Sequence, residues 1–245
     1  MNLEEFPPEV KMDIEDQSLA LLDIVKDDII VIGGWAVRAL AGERHARYTL
    51  DIDGVLSEES VPAAKRKLVN AGLEHRDFDW GYQFTRKYEP EVDITDRDAR
   101  ESVGEVELRI ELSGPKIREF RTHHYFEFSL EEYVTREIAF HRKDFKIAVK
   151  VPPAETMAAV KLGLPVDYKN NFDSAVLLQI CDIDSVIEII KANDDWREIV
   201  LRRIPKSKDR IRNPGRLEHI LSINIGVNVR DYVRKLEYIE TDLRE

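Results

Sequence analysis

The spacing of apolar residues near the start of the chain predicts a helix, a strand and a second helix in close succession. Residues 9–27 carry apolar side chains at helical intervals, and residues 29–32 are four consecutive aliphatic residues, as in buried strands. Gly33 and Gly34 end this run, and residues 35–40 resume a helical pattern. The order therefore predicts a strand that ends in a glycine turn from which a helix begins.

The chain up to residue 151 mixes strand and helix periodicities. A second strand is expected over residues 49–56, and a second helix over residues 61–70, which Gly72 ends. A helix is also expected over residues 131–141. Further strands are expected over residues 82–88, 91–95, 106–112, 125–128 and 145–151.

The pattern changes after Pro152 and Pro153, beyond which almost every segment has helical spacing. We therefore expect an α/β (α+β) domain over residues 1–151, with a mixed sheet flanked by helices. A helical C-terminal domain is expected over residues 152–245.

Composition and charge narrow the class of protein. The 245 residues are 43% hydrophobic, which is enough for a sizeable core. The formal net charge of −11 argues against binding to DNA or to a membrane through overall charge. Cys181 is the single cysteine, so no disulfide can form within the chain. Without a signal-peptide pattern at the start or an apolar run of about 20 residues, we expect a soluble cytoplasmic protein.

Two aspartates on the second expected strand are the strongest candidates for chemistry. Asp51 and Asp53 are two residues apart, so their side chains would share one face of a strand. Neighbouring carboxylates repel each other unless a cation lies between them, and Asp is depleted in strands. A solvated strand face is the alternative, but a divalent metal site explains the pair better. The turn at Gly33 and Gly34 would let backbone N–H groups approach phosphate oxygens.

A third carboxylate would complete a site for two metal ions. Asp93 is our first candidate, because Val92 and Ile94 flank it in a short alternating segment. Glu105 and Glu107 are the competing choices on a neighbouring segment. The shorter side chain of Asp would hold a metal ion more tightly, which favours Asp93.

Together these residues resemble the nucleotidyltransferase superfamily, with a Gly-Gly turn, an Asp-x-Asp on the following strand and a third Asp on a later strand. The similarity is specific over residues 29–56 and looser as far as residue 95. It is greatest to two branches: the lincosamide- and aminoglycoside-modifying enzymes, and the abortive-infection toxins of type IV toxin–antitoxin systems. The matching strings are Gly33-Gly34-Trp35-Ala36-Val37 and Arg47-x-Thr49-x-Asp51-Ile52-Asp53.

A further similarity lies in the helical part of the chain. Lys161 and Leu162, followed by Lys169 and Asp173, resemble the family's lysine-bearing helix and the basic residue and aspartate after it. The family's usual arginine–aspartate pair is replaced by Lys169 and Asn170.

The resemblance implies transfer of a nucleoside monophosphate from a nucleoside triphosphate (NTP), such as ATP, to a hydroxyl acceptor, with release of pyrophosphate. It implies that the catalytic residues, which also hold Mg²⁺ or Mn²⁺, are Asp51, Asp53 and Asp93. The nucleotide would be bound by Gly33, Gly34, Arg47, Thr49 and Lys161. In such chemistry two cations bind the attacking and leaving oxygens, and most of the rate enhancement comes from positioning the reactants and stabilising charge.

Two other interpretations use the same residues. The string from Leu50 to Leu56 also resembles the nucleophile motif of haloacid-dehalogenase-type phosphatases, in which the first Asp attacks phosphate and the second acts as acid and base. The strand, glycine turn and helix that precede this motif favour the transferase, as does the lack of a later Gly-Asp-x-x-x-Asp segment. A transferase fold that has lost catalysis, and serves as a binding module or antitoxin, is the third interpretation. The intact aspartates argue against it.

The acceptor stays open among a small molecule such as an antibiotic, a tRNA 3′ end and a protein side chain. A basic segment at residues 201–216 favours a macromolecule, because clustered cations can bind RNA phosphates. A solvated stretch between helices is the competing interpretation. The cations of this segment are Arg202, Arg203, Lys206, Lys208, Arg210, Arg212 and Arg216.

Overall fold

The computed structural model describes residues 6–90, 105–119, 122, 124–221 and 226–245. The strand expected over residues 91–95, and with it the candidate metal ligand Asp93, lies outside the described residues. The other candidate site residues are all described.

The chain forms two compact units. The sheet unit comprises Met1–Trp35, Tyr48–Pro115 and Tyr133–Val151. The helical unit comprises Ala36–Arg47, Lys116–Glu132 and Pro152–Glu245. Two segments that precede Pro152 thus group with the helices, and the division into domains at residue 152 stays a prediction.

The strands alternate with helices in the first part of the chain, as the apolar periodicity predicts. The described strands are β1 (Ile30–Ile32), β2 (Ile52–Val55), β3 (Glu74–Phe78), β4 (Gly81–Tyr88), β5 (Val106–Ser113), β6 (Lys116–Arg118), β7 (Tyr125–Glu127), β8 (Val134–Ala139) and β9 (Lys146–Val151). The described helices are α1 (Pro8–Val25), α2 (Gly33–Ala41), α3 (Val61–Asn70), α4 (Ala154–Leu162), α5 (Tyr168–Leu177), α6 (Ile183–Lys191), α7 (Asp194–Ile211), α8 (Pro214–Leu221) and α9 (Val229–Arg244).

A five-stranded mixed sheet forms the centre of the sheet unit, in the order β1-β2-β5-β4-β3. β2 and β5 are parallel, whereas the other neighbouring pairs in this sheet are antiparallel. The alternation in β5 explains how the sheet is buried on one side: its apolar residues are buried and the residues between them are not. The buried residues are Val106, Leu108, Ile110 and Leu112.

The helical unit has its own apolar core around Trp196 of α7. The ring of Trp196 is fully buried, lies edge-on to Phe126 and donates its Nε1–H to the carbonyl of Ala159 at 3.0 Å. Tyr232 of α9 is also buried, and its hydroxyl is 2.8 Å from that of Ser174. Each aromatic residue thus buries a large apolar surface while its polar atom is hydrogen-bonded.

Two expectations for local structure are wrong. Residues 131–141 do not form a helix, because Val134–Ala139 is strand β8, which pairs antiparallel with β9. In this hairpin Val134 lies opposite Val151 and Ile138 opposite Ile147, so apolar cross-strand pairs override the helical spacing. The second strand is also shorter than the expected 49–56, since β2 begins at Ile52.

The expected fold class is confirmed: a mixed sheet flanked by helices, followed by a largely helical C-terminal part. Within the described ranges, no helix combines the length with the apolar composition that crossing a bilayer requires.

Candidate active site

Gly33 and Asp53 meet at the corner where β1 ends and α2 begins. Ile32 lies opposite Asp53 in the antiparallel pair of β1 and β2, so the next residue, Gly33, follows directly beside that aspartate. Gly33 has a φ of 66°, which L side chains rarely adopt, and a Cβ at this position would lie 2.0 Å from Asp53 Oδ2. The carboxylate therefore fills the space over the glycine, at the N-terminus of α2.

Asp51 lies immediately before β2 and is exposed. Ile52 pairs with Ile110 in the parallel register of β2 and β5. The residues that precede them, Asp51 and Arg109, are therefore neighbours on adjacent segments. Their charges interact: a hydrogen bond from Arg109 to Glu107 raises the pKa of this guanidinium most, and the charge of Asp51 raises it further. One arginine therefore lies among the carboxylates on this face of the sheet.

Glu111 is the described acidic residue directly beside Asp53. These two residues are register partners on the parallel strands β2 and β5, which lie about 4.8 Å apart, so both side chains share one face of the sheet. Gln83 of β4 donates its Nε2–H to Glu111 Oε1 at 3.0 Å and so orients the carboxylate. Sequence reasoning missed Glu111, because only the register between β2 and β5 distinguishes it from the other glutamates of this segment.

The two glutamates considered as alternatives to Asp93 lie elsewhere. Glu105 forms an exposed ion pair with Lys87 of β4 at 2.5 Å. Glu107 lies opposite Lys87 in the β4–β5 register and pairs with Arg109 at 2.9 Å. The register pairs of β5 with β2 begin only at Ile110, so neither glutamate adjoins Asp53.

Gly54 has a packing explanation. A Cβ at this position would lie 2.9 Å from Ile29 Cδ1 and 3.0 Å from Leu112 Cδ2, so the strand passes too close to its neighbours for a side chain. The glycine that completes the phosphatase-like string thus follows from close packing beneath β2 and requires no phosphatase chemistry.

Thr49, a candidate nucleotide ligand, is buried, and its backbone N–H donates to Glu15 Oε1 of α1 at 2.6 Å. The next residue is also held by α1, since Ser18 Oγ donates to the carbonyl of Leu50 at 3.1 Å. The backbone leading to Asp51 is therefore fixed on α1.

Arg47 and Lys161, the two predicted phosphate-binding cations, both contact one buried carboxylate in the helical unit. Arg47 binds Asp173 through two hydrogen bonds of 2.7 Å, and Lys161 Nζ lies 2.8 Å from Asp173 Oδ2. His45 Nε2 lies 3.0 Å from Asp173 Oδ1, while Arg38 Nε donates to His45 Nδ1 at 3.3 Å. Asp173 thus ties α4 and α5 to residues 45–47, and the nucleotide-binding roles of the two cations stay predictions.

Burial determines the protonation of His45 in this cluster, and the neighbouring cations determine that of Asp173. It lowers the pKa of His45 to about 4, although Asp173 opposes the shift, so the imidazole is neutral near pH 7. Burial also raises the pKa of Asp173, but the charges of Arg47 and Lys161 outweigh it and hold that pKa well below its ordinary value. The cluster therefore contains one buried anion, two cations bound to it and a third cation, Arg38, that contacts His45.

The basic segment at residues 201–216 is largely helical, because α7 extends to Ile211. Arg203 is buried and pairs with Glu119 at 2.9 Å, and Lys208 pairs with Glu240 at 2.8 Å. Ion pairs thus hold four of the seven cations, two of them with carboxylates that are distant in sequence. The four pairs are Arg202–Glu198, Arg203–Glu119, Lys208–Glu240 and Arg212–Asp209.

The donor set at the Gly33–Asp53 corner suits a hard divalent cation. Mg²⁺ is commonly held by one or two carboxylates together with substrate phosphates, and Asp51 with Asp53 provides that number. Within the described ranges, no group of three or more acidic, histidine or cysteine side chains is close enough to hold a metal ion by itself.

Comparison with solved structures shows the fold. The chain is similar over 98% of its length to a crystal structure from H. pylori designated a candidate nucleotidyltransferase, of which 98% is covered, with 14% identity and a TM-score of 0.50. It is also similar to the antibiotic-resistance factor ANT(2'')-Ia in solution, with 14% identity and a TM-score of 0.45 over 74% of this chain and 89% of that one. No family model and no curated protein matches the sequence.

The match to the H. pylori structure extends over both chains almost completely, so it includes the sheet unit and the helical unit. The resemblance that the Gly-Gly turn and the Asp-x-Asp string indicate is thereby confirmed at the level of the fold. The chain has a nucleotidyltransferase-type fold.

Proposed function

We propose that this protein is a metal-dependent nucleotidyltransferase that moves a nucleoside monophosphate from an NTP to a hydroxyl acceptor. One observation carries the proposal: the Asp53 carboxylate lies over Gly33, at the point where β1 ends and α2 begins. A glycine turn at a helix N-terminus presents N–H groups to phosphates, and carboxylates beside it can hold the accompanying cation. The nucleotidyltransferase-type fold adds support.

Asp51 and Asp53 are the residues that would hold Mg²⁺ or Mn²⁺. The bound cations would neutralise charge on the triphosphate and on the attacking oxygen. Asp93 stays our first candidate for the third carboxylate. Glu111 becomes the alternative that the strand register favours over Glu105 and Glu107, because it adjoins Asp53.

The transfer itself makes one bond and breaks another. The acceptor oxygen attacks the α-phosphorus of the NTP, the bond from that phosphorus to the bridging β-oxygen breaks, and pyrophosphate leaves. The acceptor proton passes to a carboxylate of the site, for which Asp93 is the candidate. Gly33 and Gly34 would bind the triphosphate through backbone N–H groups, and Arg47, Thr49 and Lys161 keep their predicted roles in the nucleotide site.

A labelling experiment would identify the class of acceptor. We would incubate the protein with each α-³²P-labelled NTP, Mg²⁺ and a cell extract, and then separate small molecules, RNA and protein. Label is expected in one fraction and with one preferred base. Label in RNA would point to a tRNA-like acceptor, label in the small-molecule fraction to an antibiotic-like one.

Substitution of the two aspartates tests the mechanism. Asp51→Asn and Asp53→Asn keep the side-chain shape but remove the charge that would hold a cation, so each is expected to reduce labelling at least about 100-fold. Asp77→Asn is the matched control, because Asp77 is an exposed aspartate of the same sheet that pairs with Lys65. If the variant that combines Asp51→Asn and Asp53→Asn labelled the acceptor at the wild-type rate, the assignment would be refuted.

The same protein preparations separate the two competing interpretations. A phosphatase would release inorganic phosphate from a phosphomonoester without needing an acceptor. An inactive binding module would bind the Mg²⁺–NTP complex without forming pyrophosphate. Either result, in place of labelled acceptor and pyrophosphate, would replace the transferase proposal.

A further inference from the structure

Helix α1 holds the backbone immediately before Asp51 at two consecutive residues. Glu15 Oε1 accepts the backbone N–H of Thr49 at 2.6 Å, and Ser18 Oγ donates to the carbonyl of Leu50 at 3.1 Å. Glu15 and Ser18 are three residues apart on α1 and therefore lie on one face of the helix. Glu15 thus holds the peptide group between Tyr48 and Thr49, and Ser18 holds the one between Leu50 and Asp51.

The bond from Glu15 is the stronger of the two contacts. Its carboxylate is fully buried, and its second oxygen lies 2.6 Å from Nε2 of His141. A buried ionised acceptor makes short bonds that are roughly twice as strong as those between neutral groups. The orientation of Glu15 is therefore set from α1 and from the β8–β9 hairpin together.

Asp51 directly follows these two residues, and its own backbone nitrogen is part of the peptide group that Ser18 holds. It lies outside β2, which begins at Ile52, so the sheet ladder does not define its backbone as it does that of Asp53. The hydrogen bonds from Glu15 and Ser18 instead constrain the backbone on the N-terminal side of Asp51. Groups that orient metal-binding side chains typically change metal affinity or activity 10- to 100-fold when they are removed.

We propose that Glu15 and Ser18 are positioning residues that set the place of Asp51 by fixing the backbone of Thr49 and Leu50. This inference rests on the proposed function only in that Asp51 holds a metal ion. It assigns a task to a buried carboxylate on α1 that the motif of the active site does not include.

Asp16 provides a matched control on the same helix. It is a buried acidic residue, adjacent to Glu15 in sequence, and it accepts backbone N–H groups from His141 at 2.7 Å and Arg142 at 2.9 Å. Loss of Asp16 removes a comparable buried carboxylate with two bonds, but those bonds lead to the β8–β9 hairpin. A general effect on stability would therefore appear in both variants, whereas an effect on Asp51 should be much larger in the Glu15 variant, because Glu15 itself binds the Thr49 N–H.

The experiment compares wild type, Glu15→Ala, Glu15→Gln, Ser18→Ala and Asp16→Ala by two measurements. Hydrogen exchange followed by mass spectrometry reports protection of the Thr49 amide. Titration with Mn²⁺, followed by the electron paramagnetic resonance signal of the unbound ion, reports metal affinity with and without a non-hydrolysable NTP analogue, in both cases without turnover. Thermal unfolding of each variant accompanies both measurements.

We expect Glu15→Ala to speed exchange at Thr49 and to weaken Mn²⁺ binding about 10-fold. Glu15→Gln keeps an oxygen acceptor for the Thr49 N–H and should restore most of both signals. Ser18→Ala should have a smaller effect of the same kind, because it removes one neutral bond. Asp16→Ala should leave Mn²⁺ affinity within about twofold of wild type.

Equal changes in Mn²⁺ affinity for Glu15→Ala and Asp16→Ala would overturn the positioning role while leaving the metal site intact. Unchanged affinity in both Glu15→Ala and Ser18→Ala would also overturn it. Wild type that binds no Mn²⁺, with or without NTP, would instead refute the proposed function. If Glu15→Ala does not fold, Ser18→Ala decides the question, since it removes only a single hydroxyl from a small buried side chain.

Discussion

At the scale of single residues, the backbone conformation of Gly33 and its contact with Asp53 together determine which side chains the candidate metal site can accept at this position. Its φ of 66° disfavours any side chain, and the carboxylate of Asp53 takes the space that a Cβ would need. Gly42 has a similar φ of 57°, but a Cβ there would meet nothing within 4 Å. Substitution of either glycine would therefore cause similar backbone strain, and only at Gly33 would the new side chain also collide with a residue of the candidate site, Asp53.

We expect Gly33→Ala to abolish nucleotidyl transfer, because the new methyl group must displace Asp53. Both Gly33→Ala and Gly42→Ala should lose about 1–2 kcal/mol of unfolding free energy from the left-handed conformation. Gly42→Ala should nevertheless keep most of its activity. Transfer rates and urea denaturation of both variants test this, and equal activity of the two would show that Asp53 does not act from its position over Gly33.

The depressed pKa of His45 makes a contribution to stability that depends on pH. His45 stays neutral in the folded protein down to about pH 4, whereas in the unfolded chain it takes up a proton near pH 6.5. The unfolded state therefore binds more protons within this window, and stability falls as the pH falls through it. The full contribution is present above pH 6.5, and about 3 kcal/mol of stability is lost by pH 4, at 1.36 kcal/mol per pKa unit.

The comparison of wild type with His45→Gln isolates this effect from other titrating groups. Glutamine does not titrate, and its amide can still donate to Asp173. We expect the stability of wild type relative to the variant to decrease by about 3 kcal/mol between pH 7 and pH 4, as measured by urea denaturation. A difference that is constant over this range would mean that His45 becomes protonated in the folded protein.

At the scale of elements, the contact between α4 and α7 depends on Gly163, which follows α4. A Cβ on Gly163 would lie 2.2 Å from Cε2 of the buried Trp196 ring. Arg203, about two turns after Trp196 on the same face of α7, donates to the Gly163 carbonyl. The absence of a side chain therefore lets the indole of one helix pack directly on the end of the other.

Gly163→Ala is expected to destabilise the protein by about 1–3 kcal/mol, because the new methyl group would overlap the fully buried ring of Trp196. The emission maximum of Trp196 should shift as the ring is displaced. Gly215→Ala is the control, since a Cβ at that position in α8 would meet nothing within 4 Å. A similar loss of stability in both variants would mean that contact with Trp196 does not limit the packing of α4.

The elements also show how far sequence reasoning extends. The succession from β1 through Gly33 to α2 could be predicted, because a run of aliphatic residues and a glycine pair are local signals. The β8 strand could not, because its apolar spacing suits a helix equally well and the pairing with β9 decides between them. Glu111 was missed for the same reason: its position beside Asp53 depends on the register of two strands far apart in sequence.

At the scale of the whole molecule, charge is distributed less simply than composition indicates. The net charge is −11, and the basic segment at residues 201–216 is the expected exception. Its ion pairs with acidic residues leave three cations that have no carboxylate partner among the described residues: Lys206, Arg210 and Arg216. Arg210 in addition lies 4.5 Å from the centre of the Tyr168 ring. The charge available to an RNA backbone is therefore about half of what the sequence suggests.

This count predicts a shallow salt dependence for RNA bound through the basic segment. The logarithm of the binding constant falls with the logarithm of salt concentration by about 0.7 to 0.9 per neutralised phosphate, so three contacts give a loss of about 20- to 40-fold between 50 and 200 mM KCl. All seven cations would give a loss of about 10³-fold or more. Filter binding of a tRNA to wild type and Lys206→Ala measures both the slope and its expected decrease by about one contact. A slope that corresponds to seven phosphates would mean that RNA displaces the carboxylates from their ion pairs, whereas an unchanged slope in Lys206→Ala would place the RNA elsewhere on the protein.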